Sequence, residues 1–523
     1  MQNFKKMKKI IILLALFVAT SSCSDDFLDR SSLTQIAEDN FWQGEEDAFL
    51  ALNGVYSALQ GRSMYGGGLN AWIGFPGFDN FGDNAFNQFK WEGAGIFMEG
   101  TLTADAGPTQ NIWQDHYRGI VRANLVIQNV QEIEAELIEE DSRNDILGQA
   151  YFLRGLLYFN LATYYESVPL ITEPQLLEDA FVAKNTYEEI TDQVISDLVN
   201  AVELLPEPSN RAANQFGYAT KGAALGLLAR VQLYNLNYSG ENGVLAATEQ
   251  MLGMGYSLHP NYGELFSLEG QNSPEIVFSV RFDRDPNNSN GEDFSATFLP
   301  TPKVDERPMP NLVNDYYATD GLPISESPLF DPDNESENRD PRLTATVYFP
   351  GDLYLVEPDE RVFSGNSPTG YGKRKYIRRA PEPDSGGVGG PGSQDFYLIR
   401  YADVLLMRAE ALAETGDLAG AADLVNQVRA RVGMPSVQQV EGITGQNEMI
   451  QIVRHERRVE LALEGLRFMD LKRWGEVQEA FERATADPVG PYNPNYQGQR
   501  SEFFPVPQSE LDVNPELEQH PAW

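Results

Sequence analysis

The apolar and polar positions of this chain alternate with the period of amphipathic helices over much of its length. Apolar residues recur every three or four positions in segments that are separated by polar or glycine-rich stretches. These segments predict helices at residues 45–60, 112–138, 143–166, 186–205, 217–236, 401–415, 417–432, 447–464 and 475–485. Residues 150–165 are apolar nearly all round, which predicts a helix that is buried on every side.

Breaks in this pattern indicate that the helices come in pairs. Residues 401–432 form two amphipathic segments separated at Gly416 and Asp417, where a helix end is followed by a turn residue. Such a pair spans about 33 residues, close to the tetratricopeptide (TPR) period of about 34. Similar pairs can be drawn at 112–166 and 186–236. We therefore predict a mainly α fold, a TPR-like α-α superhelix with long loops and a few short strands.

Strand signals are few, and irregular segments are long. Residues 275–282 and 343–349 alternate or are rich in β-branched residues, which predicts two strands. Residues 61–111, 283–310 and 350–395 are rich in loop-forming residues, and irregular segments of this length are usually functional or disordered. We expect these segments to form a loop-rich ligand face, with the glycine- and proline-rich run 381–392 as a mobile surface loop.

Charge and rare residue types narrow the possible functions. The chain has 523 residues, 39 of them basic and 77 acidic, with a formal net charge of −38. Nucleic-acid binding needs the opposite sign, so we expect no nucleic-acid partner, and an anionic membrane surface would repel the chain. A single cysteine allows no disulfide within the chain and no cysteine-rich zinc site. The four histidines are scattered singly, which argues against metal or acid–base chemistry based on histidine. We expect no cofactor and no resident metal.

The N-terminus has the layout of a targeting segment. Lysines precede a short apolar run at 10–19, and small residues then lead to Cys23. The apolar run is about half as long as a membrane-spanning helix requires. We therefore predict a signal peptide at 1–22. The cysteine after small residues resembles a bacterial lipobox, although Thr20 stands where leucine is usual, and this implies lipidation of Cys23.

The residues after Cys23 bear on location. Ser24, Asp25 and Asp26 resemble the surface-export signal of Bacteroidetes lipoproteins. This implies a lipid anchor in the outer membrane that faces the cell exterior, with residues 23–33 as a flexible lipidated tether. A solvated acidic linker is the alternative interpretation.

Catalytic and metal motifs are incomplete. His455 and Glu456 begin a zinc-protease pattern, but Val459 stands where the second histidine is required. The glycine run 387–392 lacks the flanking strand and helix of a dinucleotide site. Residues 331–337 loosely resemble a calcium loop without its glycine, and a solvated turn is the preferred interpretation. A carboxylate pair for glycoside hydrolysis stays open, because nothing singles one out.

Several motifs occur in a consistent order along the chain. They are found at 152–154, 168–171, 219–223, 320–324, 340–343, 401–412 (YADVLLMRAEAL), 454–474 (RHERRVELALEGLRFMDLKRW), 504–511 (FPVPQSEL) and 520–523 (HPAW). Together they resemble the SusD/RagB family of nutrient-binding, starch-binding SusD-like outer-membrane lipoproteins, and the resemblance covers residues 23–523. The charges of 457–473 have both signs at helical spacing, so we interpret them as structural braces on helix surfaces.

The resemblance implies an architecture and a role. It implies one SusD-like domain over 34–523, with halves at about 34–240 and 270–523. It implies a non-catalytic surface protein that binds oligosaccharides and, as a swinging lid, delivers them to a SusC-like TonB-dependent outer-membrane transporter used in polysaccharide utilisation. Binding of peptides or another nutrient by the same mechanism is the alternative. A surface glycoside hydrolase and a pure TPR-like scaffold are further alternatives.

Aromatic and amide side chains in the irregular segments are the candidates for ligand contact. A flat ring buries the apolar face of a sugar, and carboxylates or amides bond adjacent hydroxyls. The family also implies contacts in an early loop and in the middle of the chain. The candidate residues are Trp72, Phe75, Asp79, Asn80, Asn84 and Trp91 in the first segment and Phe282, Asp283, Arg284 and Phe294 in the second. The alternative is that these side chains only pin a long loop to the helices.

Overall fold

The structure is a computed structural model. It describes residues 41–67, 74–87, 89, 93–212, 215–285, 288–299, 306–357, 359–380, 391–443, 445–489 and 493–523. The predicted signal peptide, Cys23 and its tether lie outside these residues, and so do Trp72, Trp91 and most of the predicted mobile loop.

Helices dominate the described residues. In chain order the α-helices are α1 Glu45–Leu59, α2 Gly93–Met98, α3 Gly107–Glu132, α4 Glu140–Tyr165, α5 Tyr187–Leu204, α6 Lys221–Tyr234, α7 Val244–Met251, α8 Tyr262–Leu265, α9 Phe294–Thr297, α10 Pro310–Asp315, α11 Pro341–Thr346, α12 Tyr401–Thr415, α13 Leu418–Arg431, α14 Val437–Val440, α15 Gln446–Leu461, α16 Arg467–Trp474, α17 Val477–Ala486 and α18 Gln508–Val513. Short 3-10 helices lie at Phe75–Phe81, Leu177–Asp179, Pro208–Asn210, Leu268–Asn272 and Gly498–Ser501.

The strands are short and form antiparallel pairs. They are β1 Ala85–Phe86, β2 Ile276–Val280, β3 Asp283–Asp285, β4 Asn288–Asn290, β5 Arg307–Pro308, β6 Val347–Tyr348, β7 Leu353–Leu355, β8 Arg361–Val362, β9 Gly372–Lys373 and β10 Phe396–Arg400. The pairs are β1 with β5, β2 with β10, β3 with β4, β6 with β9 and β7 with β8.

The long helices pack in series. α3 packs on α4, α4 on α5, α5 on α6 and α6 on α7, while α7 contacts α12, which packs on α13 and α15. Nearly every residue in the second half of α4 is buried, as its apolar pattern predicts. The predicted mainly α, superhelical fold with few short strands is confirmed, and the predicted long helices correspond to observed ones with shifted ends.

One predicted strand is largely a helix. Residues 343–349 begin within α11, and only Val347–Tyr348 is extended. Pro341 occupies the first helical turn, and the Asp340 carboxylate accepts the backbone N–H of Arg342 at 2.9 Å. This start favours a helix because proline has the φ value required there and the carboxylate satisfies a free N–H. These local effects outweigh the β-branched composition.

The charged motif of α15 and α16 lies in the interior, so its predicted position on helix surfaces is wrong. Glu460 is fully buried, and its partners Arg342, Arg400 and Arg431 belong to other elements. The structural role agrees with the prediction. We define the arginine–carboxylate network as Arg342, Arg400, Arg429, Arg431, Glu275, Glu456, Glu460 and Glu464.

Candidate ligand-binding site

The ends of the irregular segments meet at one place. The backbone N–H of Asp293 donates to the carbonyl of Gly66 at 2.9 Å, and Gly67 lies against Phe294. Glu292 and Gly392 exchange two backbone hydrogen bonds, at 2.9 and 2.8 Å. The three loop-rich segments of the sequence are therefore joined. We call this meeting point the loop rim and define it as residues 66–67, 74–76, 281–284, 292–295, 306, 378 and 391–395.

Buried ion pairs hold the loop rim together. Glu292 accepts hydrogen bonds from Arg378 at 3.1 Å and from the Ser295 hydroxyl at 2.7 Å. Glu306 is paired with Lys373, which is itself fully buried. Burial raises the pKa of Glu306 to about 8, and the positive charge of Lys373 only partly opposes this rise. These carboxylates act as clamps between segments.

Asp395 is a further clamp. It accepts the backbone N–H of Phe282 at 3.1 Å and lies 3.2 Å from the Arg281 guanidinium. Burial raises the pKa of Asp395 to about 7, although the charge of Arg281 and the hydrogen bond from Phe282 lower it. The clamp ties β2 to the segment that precedes β10.

Three predicted aromatic contacts are part of the core. Phe75, Phe282 and Phe294 are at most 5% exposed. The ring of Phe75 stacks on Tyr65 with centroids 4.8 Å apart, and Phe282 meets Phe294 edge to face at 6.0 Å. Phe396 joins the two segments, because both Tyr65 and Phe294 lie 5.9 Å from it. The structure thus brings the two candidate segments together through their buried rings.

Three predicted polar contacts are also buried. Asp79 accepts the backbone N–H of Gly465 at 2.6 Å and the amide of Asn84 at 2.8 Å. Asn80 donates to the carbonyl of Gly77 at 3.0 Å. Asn84 in turn accepts from Arg458 at 3.0 Å. For these residues the contacts match the alternative interpretation, in which the side chains pin the segment to the helical body.

The remaining predicted residues differ in exposure. Asp283 is exposed and Arg284 is half-buried, and both lie in β3 at the loop rim. Trp72 and Trp91 lie outside the described residues. The exposed candidates that the structure describes are therefore the charged ones.

An exposed aromatic ring that the sequence did not indicate lies next to the loop rim. Phe216 is 46% exposed, and the Arg281 guanidinium lies 4.7 Å from its ring centroid. Arg281 is held by Asp395, and its carbonyl accepts the Gln60 amide at 2.8 Å. We call Phe216 with Arg281 the Phe216 platform. No sequence signal distinguishes it, because Phe216 lies with Tyr218 in a short polar connection between two helices.

A cavity of about 890 Å³ lies beside the loop rim, between α8, α11 and the end of α13. It shares Arg378 and Gln394 with the rim, and Arg374 and Arg379 also line it. This volume is within the range of small-molecule sites. We call it the rim cavity.

Metal ligands do not cluster in the described parts of the chain, where no group of three or more His, Cys, Asp or Glu side chains could hold an ion. In the candidate calcium segment, Asp331 accepts the backbone N–H of Asp333 at 3.0 Å and the amide of Asn334 at 2.7 Å. These bonds are typical of a turn. Among the described helices, none is both long and apolar enough to cross a membrane.

Two family models match different parts of the chain. One, described as the SusD family, matches residues 274–523, and the other, described as starch-binding and associating with the outer membrane, matches residues 77–233. A SusD-like protein of Formosa agariphila is 27% identical over 99% of this chain and 99% of its own.

Solved structures are similar over almost the same span. A SusD-like carbohydrate-binding protein of Bacteroides fragilis is 28% identical, covers 91% of this chain and 100% of its own, and has a TM-score of 0.78. A laminarin-binding SusD-like protein is 25% identical, covers 92% of this chain and 100% of its own, and has a TM-score of 0.72.

Proposed function

Because this chain belongs to the SusD/RagB family, we propose that it binds oligosaccharides at the bacterial cell surface and passes them on unchanged. The observation that carries the proposal is the likeness, over nearly the whole chain, to the carbohydrate-binding protein of Bacteroides fragilis. The laminarin-binding relative supports the same ligand class. The family description adds association with the outer membrane.

The proposed contact surface is the loop rim with the Phe216 platform. A half-exposed ring beside a guanidinium offers an apolar face and hydrogen-bond donors. The apolar face can pack against the C–H face of a sugar, and the donors can bond its hydroxyls. Asp283 and Arg284 add polar groups on the same rim. Trp72 and Trp91 stay predicted contacts on the sequence argument alone.

A binding role without catalysis agrees with the chemistry of the rim. Glu292, Glu306 and Asp395 are buried and each is paired with a cation. A general acid or base must reach the bond that it breaks, and these carboxylates instead join chain segments. The supporting argument is therefore that these three buried acids of the rim are committed to structure.

Anchoring and delivery complete the proposal. The leader and Cys23 support a lipid anchor in the outer membrane, and the acidic residues that follow support a surface orientation. A rigid helical body on such a tether suits a lid over a SusC-like TonB-dependent transporter. Co-purification of the full-length protein with a SusC-like transporter is the expected sign of that partnership.

Binding of glycans by the purified full-length protein tests the ligand class. We expect at least one neutral oligosaccharide to bind on a glycan array, and Phe216→Ala to weaken it by about tenfold, since losing one stacking aromatic costs about 1–2 kcal/mol. Phe181→Ala is the matched control, because Phe181 is also a half-exposed phenylalanine, at 56%, but lies outside the rim. Trp72→Ala tests the sequence-derived contact in parallel.

Three results would contradict the proposal. Binding of peptides without binding of any glycan would favour the alternative nutrient. Release of reducing sugar from a polysaccharide, abolished by one carboxylate substitution, would establish a hydrolase. Equal loss of glycan binding in Phe216→Ala and Phe181→Ala would contradict the assignment of the rim as the contact surface.

A further inference from the structure

A run of basic residues lies beside the loop rim in this otherwise acidic chain. Five of the seven residues from 373 to 379 are lysine or arginine, although the whole chain carries a net charge of −38. Lys373, Lys375 and Arg378 turn inward, where each is paired with a buried glutamate. The other two, Arg374 and Arg379, line the rim cavity.

The two cavity arginines have donors that the described residues do not use fully. The nearest carboxylate oxygen to the Arg374 guanidinium belongs to Asp352, at 3.8 Å, which is beyond hydrogen-bond distance. Arg379 donates one bond to the carbonyl of Leu353 at 3.0 Å, and its buried Nε has no hydrogen-bond partner among the described residues. A buried donor without a partner is costly, so an added acceptor would stabilise this wall.

A buried tyrosine lies beside Arg374. Tyr348 is fully buried, the Arg374 guanidinium lies 5.0 Å from its ring centroid, and its hydroxyl has no partner within the described parts of the chain. Burial raises the pKa of Tyr348, whereas the charges of Arg374 and Arg379 oppose the rise. Both guanidinium charges therefore act on Tyr348, which lies behind the arginines and does not itself line the cavity.

The acidic residues of the cavity lie where they offset the charge of its arginines least. Glu264 and Glu269 line it too, but both are exposed, and solvent ions screen exposed charges over about 8–10 Å. Arg378 and Arg431 also line the cavity and are compensated by Glu292 and Glu460. Among the described residues, Arg379 has no carboxylate partner, and Arg374 has only the long contact to Asp352. The inner wall is thus left with positive charge, and guanidinium groups bind carboxylates and sulfates through paired, charge-assisted hydrogen bonds.

We infer that the rim cavity binds an anionic group, the carboxylate or sulfate of an acidic saccharide, against Arg374 and Arg379. The saccharide part of this inference rests on the proposed function, because the cavity shares Arg378 and Gln394 with the rim. The anionic part rests on the arginines alone. A chain bound along the rim would place one charged residue in the cavity.

Calorimetric titration of the purified full-length protein tests the inference. The probes are sodium glucuronate, inorganic sulfate and, as the neutral reference, glucose, followed by uronic-acid, sulfated and neutral laminarin oligosaccharides. We expect the anionic probes to bind more tightly than glucose, with an affinity that falls as salt rises. Comparison of the uronic-acid and sulfated arms identifies which anion the cavity prefers.

Paired variants connect the binding to the cavity. Arg379→Gln and Arg374→Gln should each weaken anion binding by about tenfold or more, since a hydrogen bond to a charged group contributes at least about that factor. Arg118→Gln, an exposed arginine on α3 at 57% side-chain exposure, should leave it unchanged. The side chain of Arg374 is partly exposed, at 30%, so replacing it should disturb folding little. Arg374→Gln therefore tests the cavity even if Arg379→Gln does not fold.

The outcomes separate this inference from the proposed function. Anionic probes that bind no better than glucose, or that bind both cavity variants as tightly as the wild type, overturn the inference. Loss of anion binding in the cavity variants with retained binding of neutral laminarin oligosaccharide supports both proposals. Arginine-dependent binding of glucuronate or sulfate, without binding of any oligosaccharide, supports the anion site and contradicts the proposed function.

Discussion

Buried carboxylates behave in opposite ways in two regions of the molecule, the arginine–carboxylate network and the loop rim. Burial raises the pKa of Glu460 in the network, but three arginines outweigh it, and the pKa is held well below its usual value. At the rim, Glu306 and Asp395 each face one cation, and burial raises their pKa to about 8 and about 7. One cation does not offset the loss of solvation, whereas several do.

This difference means that the ion pairs of the network are insensitive to pH near neutrality, whereas those of the loop rim are sensitive to it. The arginines lower the pKa of Glu456 and Glu460, so these two carboxylates stay charged across the physiological pH range. The network joins α11, α13, α15 and β10. The pKa values of Glu306 and Asp395, about 8 and about 7, lie near neutral pH, so the charge of these two clamps changes with small changes in pH. Groups with strongly shifted pKa values concentrate at functional sites, and the rim is where we propose that the ligand binds.

Removal of one network arginine should have the largest effect. Arg400 contacts Glu275, Glu460 and Glu464 at 2.6–2.8 Å and is 2% exposed. Arg400→Met leaves three buried carboxylates without this cation and should lower the free energy of unfolding by about 3–5 kcal/mol. Denaturant unfolding measures the change. Arg118→Met, which breaks an exposed pair, is the control and should cost less than about 1 kcal/mol.

A second buried ion group, Asp403 with Arg230 and Arg457, should lose stability in acid. Burial raises the pKa of Asp403, but Arg230 and Arg457 outweigh it and lower the pKa from 3.8 to about 2. A lowered pKa in the folded state contributes stability above the unfolded value and loses it as the pH falls toward 2. The difference in unfolding free energy between the wild type and Asp403→Asn should shrink by about 2 kcal/mol between pH 5 and pH 2. A constant difference would contradict the role assigned to the two arginines.

The rim should respond in the opposite direction. The raised pKa of Asp395 means that its contribution to stability is complete below about pH 4 and is lost as the pH rises through about 7. Asp395→Asn lacks this titration, so it should gain stability relative to the wild type between pH 5 and pH 8.5. Thermal unfolding at the two values measures this. A loss relative to the wild type on raising the pH would reverse the sign and contradict the account.

Truncation of the exposed ring at the rim should have the smallest effect on stability. Phe216 is half-exposed, so Phe216→Ala should change the free energy of unfolding by about 0.5 kcal/mol or less while it weakens glycan binding. A large destabilisation in denaturant unfolding would mean that the ring is a structural element rather than a contact surface.

The helical body could be predicted from the sequence because its pattern is local. A period of 3.6 residues marks α12 and α13, and a continuous apolar run marks α4, without knowledge of any distant contact. The partners of the charged residues could not be predicted in the same way. Arg400 meets Glu275 from 125 positions away and Arg342 meets Glu456 from 114, whereas helical spacing indicates only partners three or four residues away.

The candidate site was harder to predict because packing and ligand contact use the same residue types. Phe75 and Phe294 are aromatic residues in irregular segments, and their burial follows from contacts with distant rings. Phe216 lies with Tyr218 in a short polar connection, and this local sequence does not distinguish a ring beside the loop rim from any other surface ring. The basic run at 373–379 is visible in the sequence, but the directions of its side chains depend on three distant glutamates.

Hydrogen–deuterium exchange of the full-length protein, with and without an oligosaccharide that it binds, tests the central claim most directly. Binding should slow exchange in peptides of the loop rim and of the Phe216 platform, since a ligand that bridges these segments stabilises them together. Peptides from α17, which lines neither the rim nor the rim cavity, serve as the internal control and should be unchanged. Protection confined to the helical body, with none at the rim, would contradict the claim that the rim holds the glycan.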